Sequence, residues 1–165
     1  MCLAMTASGI SFTSCSDDDD EEVVAPVQKL STLKADYSIS LSDDWFKFFD
    51  IEVTYTSTSG VKNLTLTENK TFSEEFAYTS EPKEYVCKVV AKPKANAPTI
   101  NPEATYVLKQ NIQANVSGYY QDGSQDKNYG YYGSNSGSYE TGAQGLQKYM
   151  EGEHKLLNFS YSPEK

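Results

Sequence analysis

Between residues 35 and 117 apolar and polar side chains take alternate positions, the pattern of strands with one buried face. Tyr37, Ile39 and Leu41 alternate with Ser38, Ser40 and Ser42, and Phe49, Ile51, Val53 and Tyr55 alternate with Asp50, Glu52, Thr54 and Thr56. Leu64 and Leu66 make a third run. Phe72 to Tyr78 is a fourth, in which Glu74 shares the apolar face, Tyr85 to Ala91 a fifth, and Tyr106 to Val116 the longest. Leu157, Phe159 and Tyr161 add a seventh. Turn-forming clusters separate the early runs: Ser42-Asp43-Asp44, Ser57 to Gly60, Glu68-Asn69-Lys70 and Ser80 to Lys83. These gaps are too short for crossover helices, so the strands must pair antiparallel.

The expected fold is therefore all-β, an antiparallel two-sheet sandwich of about seven strands, immunoglobulin-like, in a single domain over residues 30–165. A closed barrel is the competing architecture. Pro93, Pro98 and Pro102 make residues 93–103 an extended connection that carries the chain from one sheet to the other. At most one short helix is expected, at Ala143 to Glu151, where Leu146, Tyr149 and Met150 share a face and Gly142, Gly145 and Gly152 limit it to two turns.

Composition tests whether such a chain can fold. Leu, Ile, Val and Phe make up only 32 of 165 residues and the net charge is -9, a combination typical of disorder. Six of the acidic residues, however, occupy positions 17 to 22, leaving the other 159 residues at -3, and 13 tyrosines supply further apolar area. There is no arginine in the chain. Phosphate and nucleic-acid recognition are not expected on those grounds.

Residues 2 to 14, CLAMTASGISFTS, carry no charge and lead directly to Cys15, the shape of a processing signal and too short and too polar to span a bilayer. Phe12-Thr13-Ser14-Cys15 resembles a bacterial lipobox, and the acidic run 16–22 resembles the export tag of Bacteroidetes surface lipoproteins. The resemblance implies cleavage after a signal peptide of residues 1–14, lipidation of Cys15, and an outer-membrane protein facing the cell exterior. Several acyl chains on one cysteine would hold it stably. Residues 15–29 would then form a hydrated tether. Cys2 would leave with the leader and Cys15 would be acylated, so Cys87 has no partner for a disulfide and reads as a small buried hydrophobe.

Residues 118–139, GYYQDGSQDKNYGYYGSNSGSY, hold six of the 13 tyrosines and five of the 10 glycines and are expected to form a long surface loop. Tyr119, Tyr120, Tyr129, Tyr131, Tyr132 and Tyr139 offer flat apolar faces suited to stacking on sugar rings, while Asp126, Asn128 and Asn135 suit their hydroxyls. The same residues equally suit a protein partner, or simply cover the end of the sandwich. Asp122, Ser124, Asp126 and Asn128 alternate as calcium ligands do, but lack the glycine and terminal glutamate of a calcium loop, so no metal or other cofactor is expected. Catalysis finds no motif: His154 is the only histidine, and Asp43-Asp44 read as a turn. The sequence thus points to a non-enzymatic lipoprotein, bound to the membrane through Cys15, whose sandwich engages a glycan or surface protein. A structural subunit of an envelope or adhesin assembly is the alternative.

Overall fold

The computed structural model describes residues 28–163; the leader, Cys15 and the acidic segment lie outside them. Eight strands and two short helices follow in the order β1 (Leu30–Leu41), α1 (Asp43–Phe48), β2 (Phe49–Ser57), β3 (Gly60–Leu66), β4 (Lys70–Ala77), β5 (Tyr85–Pro93), β6 (Tyr106–Tyr120), β7 (Gln125–Thr141), α2 (Ala143–Tyr149) and β8 (His154–Tyr161). A 3-10 turn at Tyr78–Ser80 follows β4. Every ladder is antiparallel, in two four-stranded sheets of order β4-β1-β6-β7 and β3-β2-β5-β8.

The pairings of β1 with β4 and of β2 with β5 are those that link strands B with E and C with F in an immunoglobulin sandwich. The place beside β1 that strand A takes there is filled by β6, which arrives late in the chain after the proline-rich connection has crossed between sheets.

The period-two pattern is read out directly in burial. Leu33, Ala35, Tyr37, Ile39 and Leu41 of β1 point inward against Ile51, Val53 and Tyr55 of β2 and Tyr85, Cys87, Val89 and Ala91 of β5, all in one continuous core. Tyr37 is fully buried and donates its hydroxyl to the Thr56 carbonyl at 2.9 Å, so its polar tip costs little. Its ring packs against Tyr55 and Phe72. A bulge in the β5–β8 ladder at Val89 and Val90 turns both Leu156 and Leu157 inward.

Three expectations need correction. Ser42-Asp43-Asp44 is not a plain turn but the start of α1, because the helix lets Trp45 and Phe48 both reach the core. The Asp44 carboxylate accepts from the Val107 amide at 2.7 Å and the Ser42 hydroxyl from the Lys109 amide at 2.9 Å, fastening α1 to β6. There are consequently two short helices, since α2 also forms. Finally, residues 118–139 are no long loop. They are the end of β6, a tight turn over Gln121–Ser124 and most of the 17-residue strand β7, which makes the strand count eight.

The ladder explains that last result. β7 pairs with β6 from Thr141 opposite Tyr106 to Gly130 opposite Ser117, and again at Gln125 opposite Tyr119, so the backbone groups on its β6 side are bonded over most of its length whatever its side chains prefer. Gly123, at φ +82°, makes the turn. β7 and β8 form one flank of the sandwich, and the Asn135 amide donates across it to the Leu156 carbonyl.

Both described chain ends lie at one end of the sandwich. Leu30 pairs with Tyr120, Gln28 and Lys29 sit beside Tyr120–Asp122, and Tyr161 pairs with Tyr85. The opposite end carries α1, α2 and the 94–105 connection.

Candidate functional site

Alternation leaves each sheet an outward face, and the two faces differ in chemistry. On the β3-β2-β5-β8 sheet the outward positions include Asp50, Glu52, Lys88, Lys92 and Lys155, with Lys92 paired to Glu52 at 2.6 Å. This is an ordinary solvated surface. On the β4-β1-β6-β7 sheet the central outward positions are mostly hydroxyls and amides, with Lys34, Asp36, Glu75, Lys109 and Glu140 also outward on that face. Thr71, Ser38, Gln113 and Ser134 form one row across the four strands, and Ser73, Asp36, Asn115 and Tyr132 form the next.

A shallow depression of 360 Å³ lies over these rows, lined by Asp36, Ser38, Thr71, Gln113, Asn115 and Tyr132. Tyr132 rises at its β7 side with 60% of its surface exposed. Asp36 is its one charge, and that charge is answered. Lys34 sits 3.1 Å away, and the Ser73 hydroxyl donates to the same carboxylate. The hydrogen bond and charge of Asp36 in turn raise the pKa of Lys34. Ser38 and Thr71 share a hydrogen bond at 3.3 Å, and the Asn115 amide donates to Ser117 at 3.0 Å. Gln113 and Asn115 each retain an acceptor carbonyl beside donor N–H groups, so the floor offers both halves of a hydrogen bond on a flat surface.

The tyrosines predicted to act together are divided by the strand that carries them. On β7 the odd positions face β8 and the even positions face out. Tyr129 packs where Gly118 leaves space for its ring and donates its hydroxyl to Glu81. Burial and that bond raise its pKa strongly. Tyr131 stacks on Tyr161. Tyr139 stacks on Tyr149, which stacks on His154 at 3.9 Å, and His154 spends Nε2 on the Tyr149 carbonyl. These rings lie along the flank and end of the sandwich, with Tyr131 and Tyr139 still exposed.

Tyr119 and Tyr120 end β6 beside the β1 start, where the Tyr119 carbonyl accepts from Ser31. Desolvation and a hydrogen bond with Asp126 raise the Tyr120 pKa. The carboxylate of Asp122 accepts from the amide and hydroxyl of Ser124, which lowers its pKa, and Asp126 accepts from the Asn128 amide at 2.8 Å. The Asp122 and Asp126 carboxylates and the Ser124 hydroxyl, three of the four side chains that resembled calcium ligands, are engaged in these local turn contacts. Among the described residues no group of three His, Cys, Asp or Glu side chains is arranged to hold a metal.

Of the eight predicted ligand residues, only Tyr132 therefore borders the depression. Asp36, Ser38, Thr71, Gln113 and Asn115, which line it, were not among those eight. Their signal was present: Asn111, Gln113 and Asn115 occupy successive outward positions of the longest strand run, where amides are poor strand formers. Among the described residues no helix is long and apolar enough to cross a membrane. The fold and this surface define a two-sheet antiparallel β-sandwich with a patch of hydroxyls and amides on one outward face. No family model, curated protein or solved structure matches the chain.

Proposed function

We propose that this protein is a lipid-anchored binding module of the outer bacterial surface, held at Cys15, that takes a glycan on the outward face of the β4-β1-β6-β7 sheet. The observation that carries the reading is the depression around Tyr132, where an exposed aromatic ring stands beside amides and hydroxyls. Sugars present this combination's complement, with apolar ring faces for stacking and hydroxyls that both donate and accept. The lipobox-like residues and acidic run support the anchor.

The tether would join the domain at the end that carries the β6–β7 turn with Tyr119, Tyr120, Asp126 and Asn128, leaving the polar face on the side of the sandwich clear of it. Two measurements test the two halves. Mass spectrometry of the native protein should find an acylated N-terminal Cys15, and a chain beginning at an unmodified Met1 would refute the anchor. Binding to an immobilised glycan panel should be lost in Tyr132→Ala and retained in Tyr139→Ala.

One observation favours a second reading, a subunit that assembles by strand addition. From Asn128 to Tyr139 the edge strand β7 carries no charge, whereas the edges β3, β4 and β8 carry lysines. Light scattering separates the two, since the binding-module reading expects a monomer with or without Ser134→Lys.

A further inference from the structure

We propose that the ligand of this face is an uncharged oligosaccharide, lying across the strands with one ring on Tyr132 and its hydroxyls on Asn115, Gln113 and Ser38; this rests on the glycan reading above. The row Ser73–Asp36–Asn115–Tyr132 crosses three strand spacings, or about 14 Å at ~4.8 Å each, enough for several hydrogen-bonding groups in line.

Charge decides between classes of glycan. An anionic polysaccharide needs cations free to meet its carboxylates or sulfates. The lysine next to the depression, Lys34, is already paired with Asp36, and the depression's own charge is that carboxylate, which would repel an anion. Lys109 is outward on the same sheet but lies four residues along β6 from Gln113, outside the depression's lining, and Lys88 and Lys155, unpaired among the described residues, lie on the opposite outward face. A neutral ligand meets neither obstacle. It displaces weakly held water from Tyr132, exchanges hydrogen bonds with the amides, and leaves the Lys34–Asp36 pair in place.

The test uses the purified full chain against neutral polysaccharides (glucan, mannan and galactan) and anionic ones (polygalacturonate and a sulfated glycan), each at low and high salt, with Tyr132→Ala and Asn115→Ala as variants. Both side chains are outward, so thermal melting should match the wild type in Tyr132→Ala and fall only slightly in Asn115→Ala, which also loses its bond to Ser117. The expected result is binding to a neutral polymer that salt does not weaken, reduced about tenfold or more in each variant. Binding to the anionic polymers alone, abolished by salt, would overturn the uncharged class while leaving the glycan reading intact. Binding to no polymer at all would overturn both. Neutral binding undiminished in both variants would overturn the placement on this face.

Discussion

Trp45 is the only tryptophan of the chain and is fully buried at the end of the sandwich that carries the helices, edge-on to Tyr149 and His154. Its indole N–H has no hydrogen-bond partner among the described residues, so the ring contributes volume and contact area rather than a polar anchor. Trp45→Ala should lower stability by about 3–5 kcal/mol, and Trp45→Phe should cost much less because no hydrogen bond is lost. Urea titrations followed by circular dichroism would check both; equal losses in the two variants would mean the indole nitrogen matters. Gly133 works by absence. A Cβ there would overlap the Phe159 ring, which is itself buried on β8. Gly133→Ala should cost about 1–3 kcal/mol by overpacking, read in the same titration, whereas Gly137→Ala, which meets only the far end of Gln110, should be nearly neutral. Such glycines looked like loop residues in the sequence, because spacing alone cannot say that another strand passes close by.

At the scale of elements, the seven alternating runs became β1 to β6 and β8, since each has a face that must be buried and a period that permits only strands. β7 was hidden for a physical reason. Its inward positions are Gly133, Asn135, Gly137 and tyrosines lying along the flank, so it buries no aliphatic stripe and shows no hydrophobic period. Its register is imposed by β6 and by contacts to β8 that are distant in sequence. Asn135 is the clearest of these: Asn135→Ala leaves the Leu156 carbonyl unpaired at the β8 bulge and should cost about 1–3 kcal/mol. Faster amide exchange along β8 in that variant would report the same loss locally, and unchanged exchange would show that the link holds nothing. α1 was hidden too, because six residues give less than two turns of periodicity and its bonds run to β6, more than 60 residues away. The candidate site shared this fate. Only Tyr132 stood out by composition, while Asp36, Ser38 and Thr71 join it through pairings of β1 and β4 that no local pattern announces.

For the whole molecule, core burial sets the response to pH. Burial pushes the Cys87 thiol up to about 12 from 9.0, and raises the Tyr37 and Tyr85 phenols above their ordinary value of 10.0. All three are neutral in the fold and ionise more readily once unfolded. Their contribution is fully present below about pH 9 and is lost as pH rises toward the folded values, each group adding a slope of about 1.4 kcal/mol per pH unit. The melting temperature should hold up to about pH 9 and fall steeply beyond it, and a flat profile to pH 11 would contradict this. By the same burial, Cys87 should resist thiol reagents until the protein is denatured.

The sandwich itself makes the larger claim: one outward face ordinary and solvated, the other with a central patch of hydroxyls and amides topped by the exposed ring of Tyr132. Nuclear magnetic resonance of the isotope-labelled full chain, titrated with a neutral oligosaccharide, addresses it residue by residue. Amide shifts should move together at Ser38, Thr71, Gln113, Asn115 and Tyr132 and stay still on the β3-β2-β5-β8 face. Shifts gathered at the β6–β7 turn or the helical end, with that patch unmoved, would contradict the account.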